Sequence, residues 1–200
     1  MALNRLRDQR ATLSEGENAL NARLFDELRR AKRLLKKSDP CHFVEPRSEC
    51  PVQPYGVTDE SHRRLKATPD ITWGYHDTSE PDPLKATRDF VIECKRVRTP
   101  TASGWQFTSH YVTDGVLRFC QTDKRYAEGV PSAVMVGYWQ NQEADRHLDL
   151  VNQELAAAKL PPLKGIVKPC KVSRLRHQGH FQRTFVVSPF NLHHCWIDLR

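Results

Sequence analysis

The sequence lacks most of the short motifs that identify a chemistry directly. No internal repeat, glycine-rich phosphate-binding loop, Gly-x-Ser-x-Gly motif or His-Glu-x-x-His motif occurs in its 200 residues. These absences exclude a solenoid of repeats, a P-loop nucleotide site, the nucleophile of an α/β-hydrolase and a zinc protease of the His-Glu-x-x-His type. A function must therefore be sought in residues that predicted strands and helices bring together.

Long hydrophobic runs are missing too. No stretch approaches the roughly 20 apolar residues that a transmembrane helix needs. Arg5 and Arg7 fall among the first residues, where a signal peptide requires an apolar core. We therefore expect a soluble, cytoplasmic protein without membrane association.

The six cysteines show no Cys-x₂-Cys spacing, which is the usual mark of a zinc ribbon or a redox motif. Reduced thiols in a cytosolic protein are the simplest prediction. A zinc site stays open as an alternative, with two possible ligand groups that have no recognised spacing. They are Cys41, His42 and Cys50, or His193, His194 and Cys195. The paired histidines are more often a feature of a surface or an edge strand than of a site.

Charge and composition describe one folded domain with an anionic partner. Thirty-one Lys and Arg residues against 24 Asp and Glu residues give a net charge of +7, which favours a polyanion without separating DNA from RNA or from an acidic protein. Hydrophobic residues make up 38% of the chain, which is enough for a substantial core in one domain spanning residues 1–200.

The most informative stretch is the strand predicted at Phe90–Val97, whose β-branched and aromatic start is typical of an interior strand. Alternation places Glu93 and Lys95 on one face, about 6.6 Å apart at a rise of about 3.3 Å per residue. Burial of two ionisable groups is costly unless each has a partner or a metal ion.

Asp70 offers such a partner, because Pro69 precedes it and a strand is predicted from Asp70 to Tyr75. If the two strands pair, Asp70 and Glu93 can supply oxygen ligands to one hard cation, with Lys95 beside it. Mg²⁺ is commonly held by one or two carboxylates together with water and phosphate oxygens. Lys95 can then position the attacking water and offset charge on a phosphate.

At these residues the sequence resembles the PD-(D/E)XK, or restriction-endonuclease-like, nuclease superfamily. The match consists of Pro69-Asp70 followed by Glu93-Cys94-Lys95 at the end of a hydrophobic strand. The resemblance implies an α/β fold with an αβββαβ core, in which helices flank a central mixed sheet. It covers residues 14–140, leaving a helix and extra strands in residues 141–200.

The resemblance also implies roles. Asp70 and Glu93 hold Mg²⁺ or Mn²⁺, the backbone carbonyl of Cys94 completes the shell, and Lys95 polarises the attacking water. Glu17 on the first helix joins the site through water, although Ser14-x-x-Glu17 is also a capping box. Glu15 and Glu27 are the other candidates for this acidic position.

Nucleic-acid contacts are expected from Arg96, Arg98 and Arg118, with Tyr111 supporting the arrangement. A helix predicted from Ser109 to Ala127 places Tyr111, Gly115 and Arg118 on one stripe. The mid-helix glycine predicts a close approach, by the active-site strand, by substrate or by tight helix-to-sheet packing. Tyr-x₃-Gly-x₂-Arg-Phe followed by a Gly-Tyr strand resembles a pattern of one bacterial group of these nucleases.

The other predicted elements are a helix over residues 14–37, a first strand over 41–46, a loop over 77–85, a buried strand over 132–139, a helix over 141–159, and strands over 165–172, 181–187 and 195–199.

We therefore predict a metal-dependent endonuclease that hydrolyses phosphodiester bonds. DNA is favoured because the superfamily mostly cuts DNA. By analogy, the chain is the nuclease effector of a bacterial antiviral defence system that relies on a partner subunit or a homodimer. The alternative is a non-catalytic module that binds nucleic acid or protein, in which Asp70 and Lys95 form a buried salt bridge.

Overall fold

The computed structural model describes residues 2–8, 16–39, 41–52, 67–97, 107–140, 144–165, 175–181 and 189–199. The helices are α1 (Ala2–Asp8), α2 (Glu17–Lys32), α3 (Pro83–Ala86), α4 (Phe107–Tyr111), α5 (Leu117–Cys120) and α6 (Ala144–Ala157), and a π-helical turn (Val112–Val116) joins α4 to α5. The strands are β1 (Arg47–Ser48), β2 (Ile71–His76), β3 (Thr87–Val97), β4 (Ser132–Trp139), β5 (Lys164–Gly165), β6 (Leu175–Phe181) and β7 (Phe190–Asp198).

The strands form one mixed sheet in the order β1-β2-β3-β4-β7-β6-β5, and β1 and β5 contribute two residues each. The central strands β3, β4 and β7 run parallel, whereas the flanking pairs are antiparallel. Parallel neighbours need a crossover connection, and α4–α5 and α6 lie in the connections that follow β3 and β4. The fold is therefore α/β, with helices flanking a mixed sheet.

The sheet separates two apolar clusters. On one face, α4–α5 and α6 pack with Val91, Val97 and Met135. On the other face, α1 and α2 pack with Ile92 and Cys94. The alternation predicted for β3 is confirmed, since neighbouring residues of this strand enter opposite clusters.

The N-terminal half differs from prediction in two places. The first strand predicted over residues 41–46 is wrong, because His42 and Val44 donate turn hydrogen bonds to the carbonyls of Asp39 and Cys41, and strand pairing begins at Arg47. Helix α2 is shorter than predicted. It begins at Glu17 with Gly16 as its N-cap, and its end tightens into i→i−3 bonds from Leu34 and Leu35. Within the loop predicted over residues 77–85, α3 adds a helical turn that begins at Pro83.

The helix predicted up to Ala127 ends at Cys120. Gln121 is extended, and Arg125 and Ala127 have positive φ angles of 47° and 55°, which an α-helix does not accommodate. β4 has the predicted bounds, because its buried apolar run is long and continuous. Helix α6 ends close to prediction, where Lys159 adopts a φ of 58° and Leu160 N–H bonds to the Leu155 carbonyl.

The C-terminal strands are only partly as predicted. The strands predicted over residues 165–172 and 181–187 lie outside the described ranges except for Gly165 and Phe181, while β6 occupies Leu175–Phe181. β7 begins at Phe190, five residues before the predicted strand. Among the described helices, none combines the length and the apolar composition needed to cross a bilayer.

Candidate active site

The antiparallel pairing of β2 with β3 brings Asp70 to the acidic end of the central strand. Ile71 lies opposite Ile92, so Asp70, one residue before β2, falls beside Glu93 and Cys94. The backbone N–H of Cys94 donates to Asp70 Oδ2 at 2.7 Å. This bond fixes the Asp70 carboxylate against β3.

Lys95 is the centre on which three carboxylates converge. Its Nζ donates to Glu93 Oε1 at 2.9 Å and to Glu17 Oε1 at 3.3 Å, and it lies 3.9 Å from Asp70 Oδ2. The same ammonium donates to the Cys94 carbonyl at 2.9 Å. Four of the predicted residues and the predicted carbonyl are therefore together. We call Glu17, Asp70, Glu93 and Lys95 the acid cluster.

Glu17 reaches the acid cluster from the first turn of α2. Its second oxygen, Oε2, accepts a hydrogen bond from the backbone N–H of Arg96 at 3.1 Å, so the start of α2 is tied to β3. Ser14, the partner in the predicted capping box, and Glu15 lie outside the described residues. Glu27, the remaining candidate, is instead buried beside Arg30 and Arg5.

Arg118 supplies the second cation. Its Nη1 donates to Glu93 Oε1 at 3.0 Å and to the hydroxyl of Tyr126 at 3.2 Å. The guanidinium also lies 5.8 Å from the centre of the Tyr126 ring. Sequence reasoning missed Tyr126, because it lies in an irregular segment where no periodicity indicates which way a side chain points.

The electrostatics of the acid cluster reflect burial first. Glu93 is fully buried, and this burial, together with the neighbouring Asp70 carboxylate, raises the pKa of Glu93 to about 7 although Lys95 and Arg118 oppose the rise. Burial also raises the pKa of Asp70. Burial alone would lower the pKa of Lys95, but the carboxylates of Glu93, Asp70 and Glu17 raise it above its ordinary value. Lys95 is therefore an ammonium at neutral pH.

The donor set suits a hard divalent cation in part. Glu93 Oε2 is buried and accepts no hydrogen bond from any described residue, and a buried carboxylate oxygen without a partner is costly. Three carboxylates against two cations leave the surroundings of the acid cluster one negative charge in excess. Mg²⁺ binds one or two carboxylates and completes its shell with water, so Asp70 and Glu93 fit this ion.

Within the described part of the chain, no cage made entirely of protein ligands is present. Across the described ranges, no group of three or more His, Cys, Asp or Glu side chains is spaced to hold a metal ion directly. The reason is visible at the acid cluster, where the Lys95 ammonium occupies the position between the carboxylates. Cation binding there requires water ligands or a shift of the Lys95 side chain.

The predicted nucleic-acid contacts are dispersed. Tyr111 is fully buried, 2.7 Å from His194 Nδ1, and accepts a hydrogen bond from Trp196 Nε1 at 3.1 Å. The predicted stripe is therefore not one contact surface, since Arg118 reaches Glu93 instead. The Arg96 guanidinium lies 5.1 Å from the centre of the Phe107 ring, and Arg98 lies outside the described residues.

The close approach predicted at Gly115 is confirmed as helix-to-sheet packing. A Cβ at this position would lie 2.5 Å from Met135 Cε and 3.5 Å from Lys95 Cγ. The π-helical turn that contains Gly115 is closed by the i→i−5 bond from Leu117 N–H to the Val112 carbonyl. Side chains of β4 and β3 therefore pack directly beneath this turn.

The two alternative zinc groups have no completed ligand set among the described residues. His194 is buried in β7 and contacts the Tyr111 hydroxyl. His42 Nδ1 donates to the Leu35 carbonyl at 3.2 Å. The described cysteines are free thiols, and Cys170 lies outside the described ranges.

Comparisons of the chain with models of protein families, with curated proteins and with solved structures found no match.

Proposed function

We propose that the chain is a metal-dependent nuclease of the PD-(D/E)XK type, which hydrolyses phosphodiester bonds. The observation that carries this proposal is the convergence of Glu17, Asp70 and Glu93 on Lys95 from α2, β2 and β3. Three chain segments assemble the cluster, and an ordinary salt bridge needs only two residues. A carboxylate pair can hold a divalent cation that assists phosphodiester hydrolysis, and an ammonium beside it can offset charge that develops on the phosphate.

The order of elements supports the same proposal. Apart from the single helical turn α3, the elements from α2 to β4 follow in the order α2, β1, β2, β3, α4–α5 and β4. This is the αβββαβ order that the resemblance implies. β2 pairs antiparallel with β3, and β3 pairs parallel with β4 across the helical crossover.

Each residue then has a role that follows from its contacts. Asp70 and Glu93 would hold a divalent cation, which supplies Lewis-acid polarisation of the scissile phosphate when bound. Lys95 keeps its proton, so it orients the attacking water as a hydrogen-bond donor and offsets charge that develops on the phosphate. Arg118 holds the Glu93 carboxylate in place.

DNA is the favoured substrate on the resemblance alone, because the net charge of +7 favours a polyanion without separating DNA from RNA. The resemblance also suggests a nuclease effector of a bacterial antiviral defence system, with a partner subunit or a second copy of the chain. The defence role and the partner subunit extend the proposal by analogy. They can be tested once cleavage of a nucleic acid has been demonstrated.

The test is incubation with linear and circular DNA, and with RNA, in Mg²⁺ or Mn²⁺. We expect cleavage by the wild type and a loss of about 100-fold or more in Asp70→Asn and Lys95→Met, since removal of one preorganised electrostatic group costs about 10²–10³ in rate. Asp123→Asn and Lys124→Met are the matched controls, because these residues form an exposed pair outside the cluster. Cleavage that survives Asp70→Asn at the wild-type rate contradicts the proposal.

The alternative is a non-catalytic binding module. The observation in its favour is that Glu93 already pairs with both Lys95 and Arg118, as in a structural ion-pair network. This alternative predicts that Lys95→Met lowers the free energy of unfolding, while wild-type protein cleaves neither DNA nor RNA with either metal.

A further inference from the structure

A second charged feature lies at the far end of α2 from Glu17. It is a cleft of about 390 Å³, and its basic lining consists of Arg29, Arg30, Lys32, Arg33 and His42. We call these residues the basic cleft. Asp26 and Glu45 are acidic residues that line the same space. Cations therefore outnumber carboxylates in the lining by two, before His42 is counted.

The cations of the basic cleft are not equally committed. Lys32 pairs with Glu45, and Arg30 pairs with Glu27. Arg29 and Arg33 are exposed and form no ion pair with a described residue. The Arg29 guanidinium is held 5.9 Å from the centre of the Phe25 ring. Two guanidinium groups are therefore available to an anion, and one of them is already oriented.

An exposed aromatic ring lies beside His42, which is one of the residues that line the basic cleft. Phe43 is 77% exposed, and its ring lies 4.7 Å from the ring of His42 in an edge-on arrangement. The short segment around Phe43 is anchored on both sides. His42 Nδ1 donates to the Leu35 carbonyl at 3.2 Å, and Trp73 Nε1 donates to the Val44 carbonyl at 3.1 Å.

One exposed phenylalanine is common on protein surfaces and carries no function alone. An exposed ring on an anchored segment is different when its neighbour His42 lines the same cleft as two available guanidinium groups, because phosphates and bases occur together in a nucleic-acid strand. Unpaired bases stack on aromatic side chains while a basic groove follows the backbone. A duplex keeps its bases paired and stacked inside, so it offers the ring nothing. An acidic peptide would satisfy the arginines but leave Phe43 without a stacking partner.

We propose that the basic cleft binds a single strand of nucleic acid, with Arg29 and Arg33 on its phosphates and a base stacked on Phe43. This inference rests on the proposed function only for what happens after binding, which is cleavage of the bound strand at the acid cluster. Arg33 follows Glu17 by sixteen residues along α2 and its C-cap, which corresponds to about 24 Å at about 1.5 Å per residue. That distance equals about 7 nucleotides at the stacked spacing of about 3.4 Å and fewer in an extended strand, so a strand of about 8 nucleotides is long enough to span it.

The test is the affinity of fluorescently labelled oligothymidylate of about 8 nucleotides, a length that covers this distance at about 3.4 Å per nucleotide. Anisotropy is measured in chelator, so that binding is read without cleavage. We expect Phe43→Ala to weaken binding about 5- to 100-fold, as the loss of one stacked base does. Phe43→Trp should bind at least as well as the wild type, and Phe43→Leu should behave like Phe43→Ala, because leucine is apolar but has no aromatic face.

The two arginines are tested through the salt dependence of binding. For single strands the slope of log K against log salt is about −0.7 per phosphate contact, so the double variant Arg29→Ala/Arg33→Ala should reduce the slope by about 1.4. Phe43→Ala should leave the slope unchanged. Lys85→Ala/Lys124→Ala removes the same charge from two other exposed positions and should alter neither slope nor affinity by a comparable amount.

Three results would overturn the inference. They are an unchanged affinity in Phe43→Ala, an equal loss in the lysine control, and tighter binding of a matched duplex that is insensitive to Phe43. The last result would indicate a purely electrostatic contact. Since binding is read in chelator and cleavage is read with metal, failure of the basic cleft and failure of the nuclease proposal are separate outcomes.

Discussion

At the scale of single residues, Lys95 determines the state of the acid cluster. Its ammonium contacts Glu93 and Glu17 directly and lies within 3.9 Å of Asp70. Without this charge, three carboxylates would repel one another in a partly buried place, and like charges at short range favour protonation. The proton balance of the site is therefore a property of the cluster as a whole.

The pH dependence of the free energy of unfolding should show the cost of ionising the buried Glu93 carboxyl group. Its folded pKa of about 7 lies above its ordinary value. The stability it contributes is therefore fully present below the unfolded pKa of about 4.3 and is lost as pH rises through about 7. Glu93→Gln removes this titration. In chelator, the free energy of unfolding of the variant relative to wild type should rise by about 2 kcal/mol between about pH 5.5 and about pH 8.

Urea unfolding at the two pH values measures this difference. Asp123→Asn is the control, since Asp123 is an exposed carboxylate and its difference from wild type should stay the same. A difference for Glu93→Gln that also stays the same would show that the Glu93 carboxyl group is not held above its ordinary pKa.

The sequence predicted the members of the acid cluster unequally. Asp70, Glu93 and Lys95 were predictable, because a period of two and one strand pairing are sufficient to bring them together. Glu17 required a judgement between a capping role and a site role, which only the packing of α2 against β3 decides. Tyr111 was misplaced, since a π-helical turn follows it and changes the direction of the residues after the turn.

At the scale of elements, two glycines set how closely helix and strand pack around β4. A Cβ at Gly115 would lie 2.5 Å from Met135 Cε, the mobile end of a flexible side chain. A Cβ at Gly137 would lie 2.5 Å from Trp196 Cδ1 and 3.1 Å from Val97 Cγ2. The Trp196 indole is held by its hydrogen bond to Tyr111, so it has less room to yield.

We therefore expect Gly137→Ala to destabilise the protein by about 1–3 kcal/mol, the usual range for overpacking a core. Gly115→Ala should cost less than Gly137→Ala, because Met135 can change rotamer and alanine favours the helix by about 1 kcal/mol over glycine. Urea unfolding of the two variants provides the comparison. An equal or larger cost at Gly115 would mean that Met135 cannot move away from α4–α5.

Element prediction succeeded where composition and burial agree. β4 is continuous and apolar, and its predicted bounds are those observed. β6, with the sequence LRHQGHF, carries little strand signal of its own. It becomes a strand through its seven-residue pairing with β7, and such long-range pairing is not written in a local pattern. The short β1 depends in the same way on its pairing with β2.

At the scale of the whole molecule, charge is distributed in two opposite ways. The chain carries a net charge of +7, with available arginines at one end of α2, whereas the acid cluster at the other end has carboxylates in excess. A cation that binds the acid cluster would remove this local repulsion. It would stabilise the folded state but not the unfolded state, in which the acid cluster is not assembled. Metal binding should therefore be visible in global stability, independently of any cleavage.

Addition of Mg²⁺ or Mn²⁺ to chelator-treated protein should raise the melting temperature. A ligand at about 100 times its dissociation constant contributes about 2.7 kcal/mol, which corresponds to about 5–10 °C for a protein of this size. Asp70→Asn should lose most of the shift, while Asp123→Asn should retain it. The shift at fixed metal concentration should grow between about pH 6 and about pH 8, because the Glu93 carboxyl group, whose pKa is raised to about 7, must release its proton to bind the metal. Sodium chloride at matched ionic strength controls for screening, and an equal shift in Asp70→Asn would place the bound cation away from the acid cluster.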